Sequence, residues 1–498
     1  MSSVKVVTRS KIVCTLGPAS DTAEKIRDLV DRGMDVARIN FSHGTIEEKT
    51  SVFNAVREVD PTVAIMCDIQ GPKIRIGQVQ EGGATLVANQ DITVTTEEVL
   101  GTAEKITISY PELPEEIKPG ELIFINDGLI CLQAVSVEAP EIMCKVLVGG
   151  VITSKKGVNL PRTEISLRVP TEKDTEDLKF IADLDPEFVS VSFVRDETDI
   201  QHVRDVLAEN GNDRIKLIAK IERPMALDNF EAILKASDSI MVARGDLGVE
   251  IPFETLIPAQ KMMVKRCNVV GKPVIVATQM LESMTESPVP TRAEVSDVFN
   301  AVADGADAVM LSAETAMGKY PNNAVETMER IIRVAEANIP LRNPDEYDSD
   351  EENVSEIIGH LVHNACKEFA DIYCPNSSAA VTAEKLQEVK ILALTDTGLT
   401  PRLVSKYRPP VTILSLTHDQ RISRELRLVW GVEPLIIPEI ENTEHMFKKI
   451  QKFTQTALAD GLLNQNDKLI VAGNLDYSPV KTNMVAIFTV QDILNSMG

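Results

Sequence analysis

Eight short apolar runs, each followed by a helix-length amphipathic stretch, constrain this 498-residue chain more than any other feature. Three come first, at Lys11–Leu16, Val36–Asn40 and Val63–Asp68, and the rhythm then stops. It returns at Phe188–Ser192 and continues through Ile215–Ile221, Ser239–Ala243, Val274–Ala277 and Ala308–Leu311. Runs that are apolar at consecutive positions belong to strands covered on both faces, as in a parallel sheet wrapped by helices. Eight such strand–helix units close a (β/α)8 TIM barrel, whose chemistry sits at the C-terminal strand ends. The interruption after the third unit contains Gly/Pro turns and short alternating runs at Ala84–Val94, Leu122–Ile130 and Ile142–Val148, which predict an inserted small β-barrel domain. After the barrel, the acidic stretch Pro344–Glu352 reads as a solvated linker. Runs at Lys390–Thr395, Val411–Leu416, Val432–Ile437, Lys468–Val471 and Val485–Val490 then alternate with helical segments and predict an open C-terminal α/β domain. The expected division is 1–70 with 171–339 for the barrel, 71–170 for the insertion and 340–498 for the C-terminal domain.

Charge narrows the function. Against 51 Lys and Arg stand 75 Asp and Glu, a net charge of −24, which argues against a nucleic-acid or anionic-membrane surface. Any phosphate site must therefore be a local basic pocket in an acidic envelope. No apolar run has the length of a signal peptide or membrane span, and the seven Cys show neither CxxC pairs nor regular spacing. Cys14, Cys67 and Cys144 lie in apolar runs and read as buried thiols, so the expected setting is the reducing cytoplasm.

The basic pocket is legible at the strand ends. Lys220 and Glu222 are two apart and project together, and Asp246 follows the next strand in Arg244-Gly245-Asp246. Two carboxylates can hold Mg²⁺ while leaving it waters for a phosphate ligand, and a Lys beside them can neutralise a phosphoryl group in transfer. Alone, each piece is also what a strand-end salt bridge looks like. Arg38, Asn40 and Ser42 alternate, so an extended strand would turn all three to the mouth, Arg38 towards phosphate and the other two towards a small cation. Lys73 and Arg75 follow Asp68 and Gly71-Pro72, and Lys156 sits where the insertion returns to the barrel. Arg38, Lys73, Arg75, Lys156, Lys220 and Arg244 are the expected cations of the mouth, against Asp68, Glu222 and Asp246. Thr278 ends the seventh strand as a helix cap, a site hydroxyl, or both.

Together these motifs resemble those of pyruvate kinases over essentially the whole chain. The segments that carry the resemblance are Cys14–Ser20, Ala37–Gly44, Lys155–Pro161, Met241–Pro252, Gly271–Met284 and Pro290–Glu294. The resemblance implies phosphoryl transfer from phosphoenolpyruvate to ADP, giving pyruvate and ATP, by a homotetramer. It implies Mg²⁺, with Mn²⁺ as a substitute, on Glu222 and Asp246, and a second Mg²⁺ arriving with the nucleotide. Catalysis would fall to Lys220, Arg38, Thr278 and Arg75. Substrate would be held by Arg38, Ser192, Lys220, Thr278 and the backbone of Ala243, Arg244, Gly245 and Asp246. The nucleotide side would comprise Thr15, Pro18, Arg38, His43 and Lys156.

Three departures from the family pattern shape the expectations. Lys73 stands where potassium-dependent members carry Glu, and Ile69-Gln70 stands for Thr-Lys. An ammonium at Lys73 can supply the charge that K⁺ otherwise provides beside Asn40, Ser42 and Asp68, so activity without K⁺ is expected. Next to the site, Arg223-Pro224-Met225 replaces the usual Asn-containing continuation and Ala313 replaces Gly. In the C-terminal domain, Thr395, Thr397, Gly398 and Thr400 resemble a phosphate-binding effector loop. There Asp396 adds a like charge and Leu399 removes a hydroxyl, which points to a phosphorylated effector other than the usual sugar bisphosphate; a plain helix-capping turn is the alternative. The competing functions are a Mg²⁺-dependent phosphoenolpyruvate or pyruvate lyase or mutase, and a non-catalytic regulatory paralogue.

Overall fold

The computed structural model describes residues 8–163, 165–339, 354–373, 386–437, 445–474 and 482–496. The linker expected at Pro344–Glu352 lies outside them. Strands β1 (Lys11–Leu16), β2 (Val36–Asn40) and β3 (Ala64–Asp68) open the barrel. The insertion adds β4 (Ala84–Leu86), β5 (Asp91–Thr95), β6 (Lys105–Thr107), β7 (Leu122–Ile125), β8 (Ile130–Glu138), β9 (Glu141–Val148), β10 (Gly150–Ile152) and β11 (Val158–Asn159). The barrel resumes with β12 (Phe188–Val191), β13 (Lys216–Ile221), β14 (Ser239–Ala243), β15 (Val274–Ala277) and β16 (Ala308–Leu311). It closes in the order β1-β16-β15-β14-β13-β12-β3-β2, every pair parallel. Barrel strands such as β1, β3 and β14 are buried at every position, as their consecutive apolar residues require. Helix starts are fixed by capping boxes at Thr45/Glu48, Thr171/Asp174 and Thr291/Glu294.

Val13, Met66, Ile218, Met241, Ile275 and Met310 fill the barrel interior, and Leu428 of the C-terminal domain joins that same cluster, fully buried. The insertion folds around its own core on a six-stranded sheet ordered β11-β7-β8-β9-β5-β6. The run expected at Leu122–Ile130 is in fact the hairpin β7–β8. Asn126, Asp127 and Gly128 all take positive φ there, so the chain reverses where alternation alone suggested one continuous strand. Asn89, also at positive φ, likewise splits Ala84–Val94 into β4 and β5. In the C-terminal domain, β17 (Val389–Leu394), β18 (Ile413–Leu416), β19 (Val432–Leu435), β20 (Lys468–Gly473) and β21 (Met484–Thr489) form an open sheet ordered β19-β18-β17-β20-β21. Only β21 runs antiparallel. Among the described residues no helix is long and apolar enough to cross a membrane.

Candidate active site

A cavity of about 690 Å³ opens at the C-terminal ends of the barrel strands. Parallel strands deliver their last residues to one rim, so β2, β3, β12, β13 and β14 bring together residues far apart in sequence. Lys220, at the end of β13, is the hub. Its Nζ lies 2.6 Å from Ser192 Oγ, 3.0 Å from Glu222 Oε1 and 3.4 Å from Asp68 Oδ1. Arg38 reaches Asp68 from the other side, with Nη2 2.5 Å and Nε 2.7 Å from Oδ2, and donates to Thr15 Oγ1 at 2.9 Å. Ser192 donates in turn to the carbonyl of Ile69.

Burial and charge oppose each other here, and the outcome differs by residue. Burial pulls the Lys220 ammonium down, but Asp68 and Glu222 outweigh it and its pKa is raised. Burial pushes the Asp68 carboxyl up, yet Lys220 and Arg38 hold it below its usual value. For Glu222 burial wins: Lys220 offsets only part of it, Asp246 adds repulsion, and the carboxyl is pushed up to about 7. Buried Glu222 and part-buried Asp246, whose charge repels it, are a suitable donor pair for a small divalent cation, which would favour the charged form of Glu222. Among the described residues there is no group of three or more His, Cys, Asp or Glu that could hold a metal ion. His43 on the rim is lowered by burial and by Arg75, Lys73 and Arg38, which shows how basic the mouth is inside an acidic protein.

Thr278 does not cap the helical turn that follows β15, whose N-cap is Leu281. It sits just past β15 at φ 68°, a costly conformation for a β-branched residue. Its Oγ1 accepts the Gly245 N–H at 2.7 Å and donates to the Ala277 carbonyl at 2.6 Å. The buried side chain of Arg244 braces it from behind. Nη2 donates to the Thr278 carbonyl at 2.8 Å, and Nη1 pairs with Asp297 at 2.7 Å. Arg244 was therefore misplaced among the cations of the mouth. A helix starts directly at Arg244, and its side chain swings behind the strand end.

Arg38, Asn40, Ser42, Asp68, Lys73, Ser192, Lys220, Glu222, Ala243, Asp246, Thr278, Thr15, Pro18 and His43 all line the cavity. Arg75 and Lys156 do not: Arg75 donates to the Lys155 carbonyl, and both stay with the insertion. β2 ends at Asn40, so Ser42 reaches the rim from a turn rather than an extended strand, with its N–H on Asn40 Oδ1 at 3.0 Å. Lys73 is exposed and makes no ion pair among the described residues; the partners of Asp68 are Arg38 and Lys220. Two contributors escaped the sequence. Lys49 lines the cavity over the Phe41 ring, and the Thr45/Glu48 capping box, which sets the helix register, was the signal for it. Phe193 donates its backbone N–H to Glu222 Oε2 at 2.6 Å, for which a side-chain pattern gives no signal. In the C-terminal loop, Thr395 Oγ1 accepts the Gly398 N–H and the Thr400 hydroxyl is buried against Thr482.

A lysine flanked by buried carboxylates, with an arginine reaching the same cluster, at the mouth of a parallel eight-stranded barrel, defines a barrel enzyme built for phosphoryl chemistry. Residues 7–325 match the family model described as "Pyruvate kinase, barrel domain", and residues 376–488 match "Pyruvate kinase, alpha/beta domain". The chain is 40% identical to a pyruvate kinase of Geobacillus stearothermophilus across 98% of this chain and 81% of that one. It is 39% identical to one of Clostridium acetobutylicum across 97% and 100%. A solved pyruvate kinase from Cryptosporidium parvum superposes with a TM-score of 0.86 at 35% identity, covering 97% of this chain and 96% of that one. The chain belongs to the pyruvate kinase family. It is a phosphotransferase of the family that works with a divalent metal and a nucleotide.

Proposed function

We propose that this chain performs the pyruvate kinase reaction between phosphoenolpyruvate and ADP through the residues gathered around Lys220. The observation that carries the assignment is the Lys220 ammonium held between Glu222 and Asp68. Glu222 and Asp246 would hold Mg²⁺, or Mn²⁺ in its place, and the ion when bound would supply charge screening for the substrate oxygens. Arg38 orients the phosphate, and backbone N–H groups around Ala243–Asp246 receive the substrate carboxylate. As the bond between phosphorus and the enol oxygen breaks, its electron pair stays on the enolate, and a β-phosphate oxygen of ADP forms the new bond. Lys220 faces the charge on both the phosphoryl group in flight and the enolate left behind. The enolate carbon then takes a proton by a water relay beside Thr278, whose own hydroxyl is engaged with Gly245 and Ala277. Thr15, Pro18 and His43 serve the nucleotide, and Arg75 and Lys156 reach it when the inserted domain moves in.

Lys73, on the rim and in no ion pair among the described residues, takes the place of K⁺ beside Asn40, Ser42 and Asp68. The molecule is proposed to be a homotetramer, consistent with Phe253 standing 83% exposed at the start of a barrel helix. The turn Thr395–Thr400 is proposed to take a phosphorylated small molecule. The deciding experiment is phosphoenolpyruvate-dependent ATP formation from ADP and Mg²⁺ in potassium-free buffer, repeated with K⁺. Strong turnover in both supports the roles and the reading of Lys73. Turnover only with K⁺ removes Lys73 from the mechanism, and none in either removes the Lys220 assignment.

A further inference from the structure

Arg223 directly follows Glu222 and is one of the departures from the family pattern that the proposed mechanism leaves unused. Its guanidinium lies over the Phe193 ring, 5.6 Å from the ring centre, a cation–π arrangement. Phe193 is the residue whose N–H grips Glu222 Oε2, and it does so from a left-handed backbone at φ 58°. That conformation is costly and persists only where the surroundings hold it.

The other charges around Arg223 lead to the inserted domain. The opposite charges acting on the guanidinium are Glu250 and then Glu222, while Arg195 opposes them. Arg223 forms no ion pair among the described residues, and its buried Nε has no hydrogen-bond partner. Glu250 is 6% exposed and receives Asn159 Nδ2 at 3.0 Å, where β11 brings the inserted domain back to the barrel. Glu250 ends the helix Arg244–Glu250, whose first turn carries Asp246. On the same helix Val249 packs against the β7–β8 turn, 3.4 Å from where a Cβ on Gly128 would lie. One short helix thus carries one proposed metal carboxylate and seats the inserted domain, and the Arg223 guanidinium feels the attraction of both Glu250 on that helix and Glu222, the other proposed metal carboxylate.

We infer that Arg223 is a positioning residue for the metal site: packed on Phe193 and attracted by Glu250, it couples the seating of the inserted domain to the aim of Glu222. This rests on the reading of Glu222 as a metal ligand. It predicts that loss of Arg223 weakens metal binding before it weakens the chemical step.

The test is Mn²⁺ binding to the substrate-free protein by electron paramagnetic resonance, with the Mg²⁺ dependence of turnover beside it. Arg223→Ala is expected to weaken Mn²⁺ binding by about tenfold to a hundredfold, the usual effect of removing an outer-shell partner. The Mg²⁺ needed for half-maximal rate should rise by the same factor, with kcat at saturating metal retained. Glu250→Gln should act in the same direction and add little in the Arg223→Ala background, as one coupled unit does. If Arg223→Ala does not fold, Arg223→Lys carries the test, since it keeps the charge, loses the flat face over Phe193 and should show a smaller loss. Glu222→Gln separates the two layers. Unchanged Mn²⁺ binding in Glu222→Gln overturns the metal assignment and this inference together. Loss in Glu222→Gln with wild-type binding in folded Arg223→Ala or Arg223→Lys overturns this inference alone.

Discussion

Lys220 Nζ lies 3.0 Å from Glu222 Oε1 although the two residues are neighbours-but-one on a single strand end, and the same ammonium touches Ser192 on the adjacent strand at 2.6 Å. The charge is therefore fixed before substrate arrives and needs no reorganisation during transfer. Replacing Lys220 by Met should lower kcat by about 10²–10³-fold, the range found when one preorganised donor to a developing anion is removed. The KM for ADP should change little. Steady-state kinetics with both substrates checks this, and a variant that loses ADP affinity with kcat intact would show that Lys220 binds rather than catalyses.

The Lys73 position makes a sharper comparison, because one substitution should reverse a cofactor requirement. In Lys73→Glu the ammonium at the rim is gone and a carboxylate stands in its place. Turnover without K⁺ should fall about tenfold or more, worth about 1.4 kcal/mol of barrier, and should recover when K⁺ is added. Initial rates in tetramethylammonium and potassium buffers decide it. A variant indifferent to K⁺ would remove Lys73 from the monovalent-cation pocket.

The barrel, the insertion after its third strand and most of the rim were legible in the sequence, because each rests on local information. Strand runs are apolar at every position, and rim residues follow them directly. What remained hidden depends on where an element goes after its signal ends. Arg244 looked like a mouth cation because nothing local says that a helix begins there and carries the side chain to Asp297. Phe193 acts through its backbone, which any residue possesses. Leu428 is one apolar residue in a mixed stretch, and only the fold reveals that it fills the base of a barrel whose strands ended more than a hundred residues earlier.

That Leu428 contact yields a stability prediction. It joins the barrel's interior cluster with its side chain fully buried, so its removal leaves a cavity at the junction of two domains. Leu428→Ala should cost about 2–5 kcal/mol, as buried Leu truncations do. The barrel and C-terminal domain should then separate in their unfolding, seen as a second transition in calorimetry. A single transition at the wild-type temperature would mean that the buried pair Arg408–Asp307, at 2.9 Å and nearby in the same interface, suffices to hold the domains together.

The thiols give a prediction for alkaline pH. Cys14, Cys67, Cys144, Cys267 and Cys366 are buried and unpaired, and burial pushes each thiol above its ordinary value of 9.0, to about 12 for Cys144. The folded chain thus keeps these protons at a pH where the unfolded chain has released them. Fewer protons on the unfolded state means that stability falls as pH rises. The contribution is intact below pH 9 and is lost from there towards the folded values, at about 1.4 kcal/mol per thiol per pH unit. Urea midpoints should accordingly drop between pH 8 and pH 10. In the native protein at pH 8 a disulfide reagent should modify at most Cys374, which lies outside the described residues, whereas the unfolded chain should present all seven thiols. Rapid modification of two or more thiols in native protein, or a urea midpoint that rises across that interval, would show that these side chains are neither shielded nor held protonated by the core.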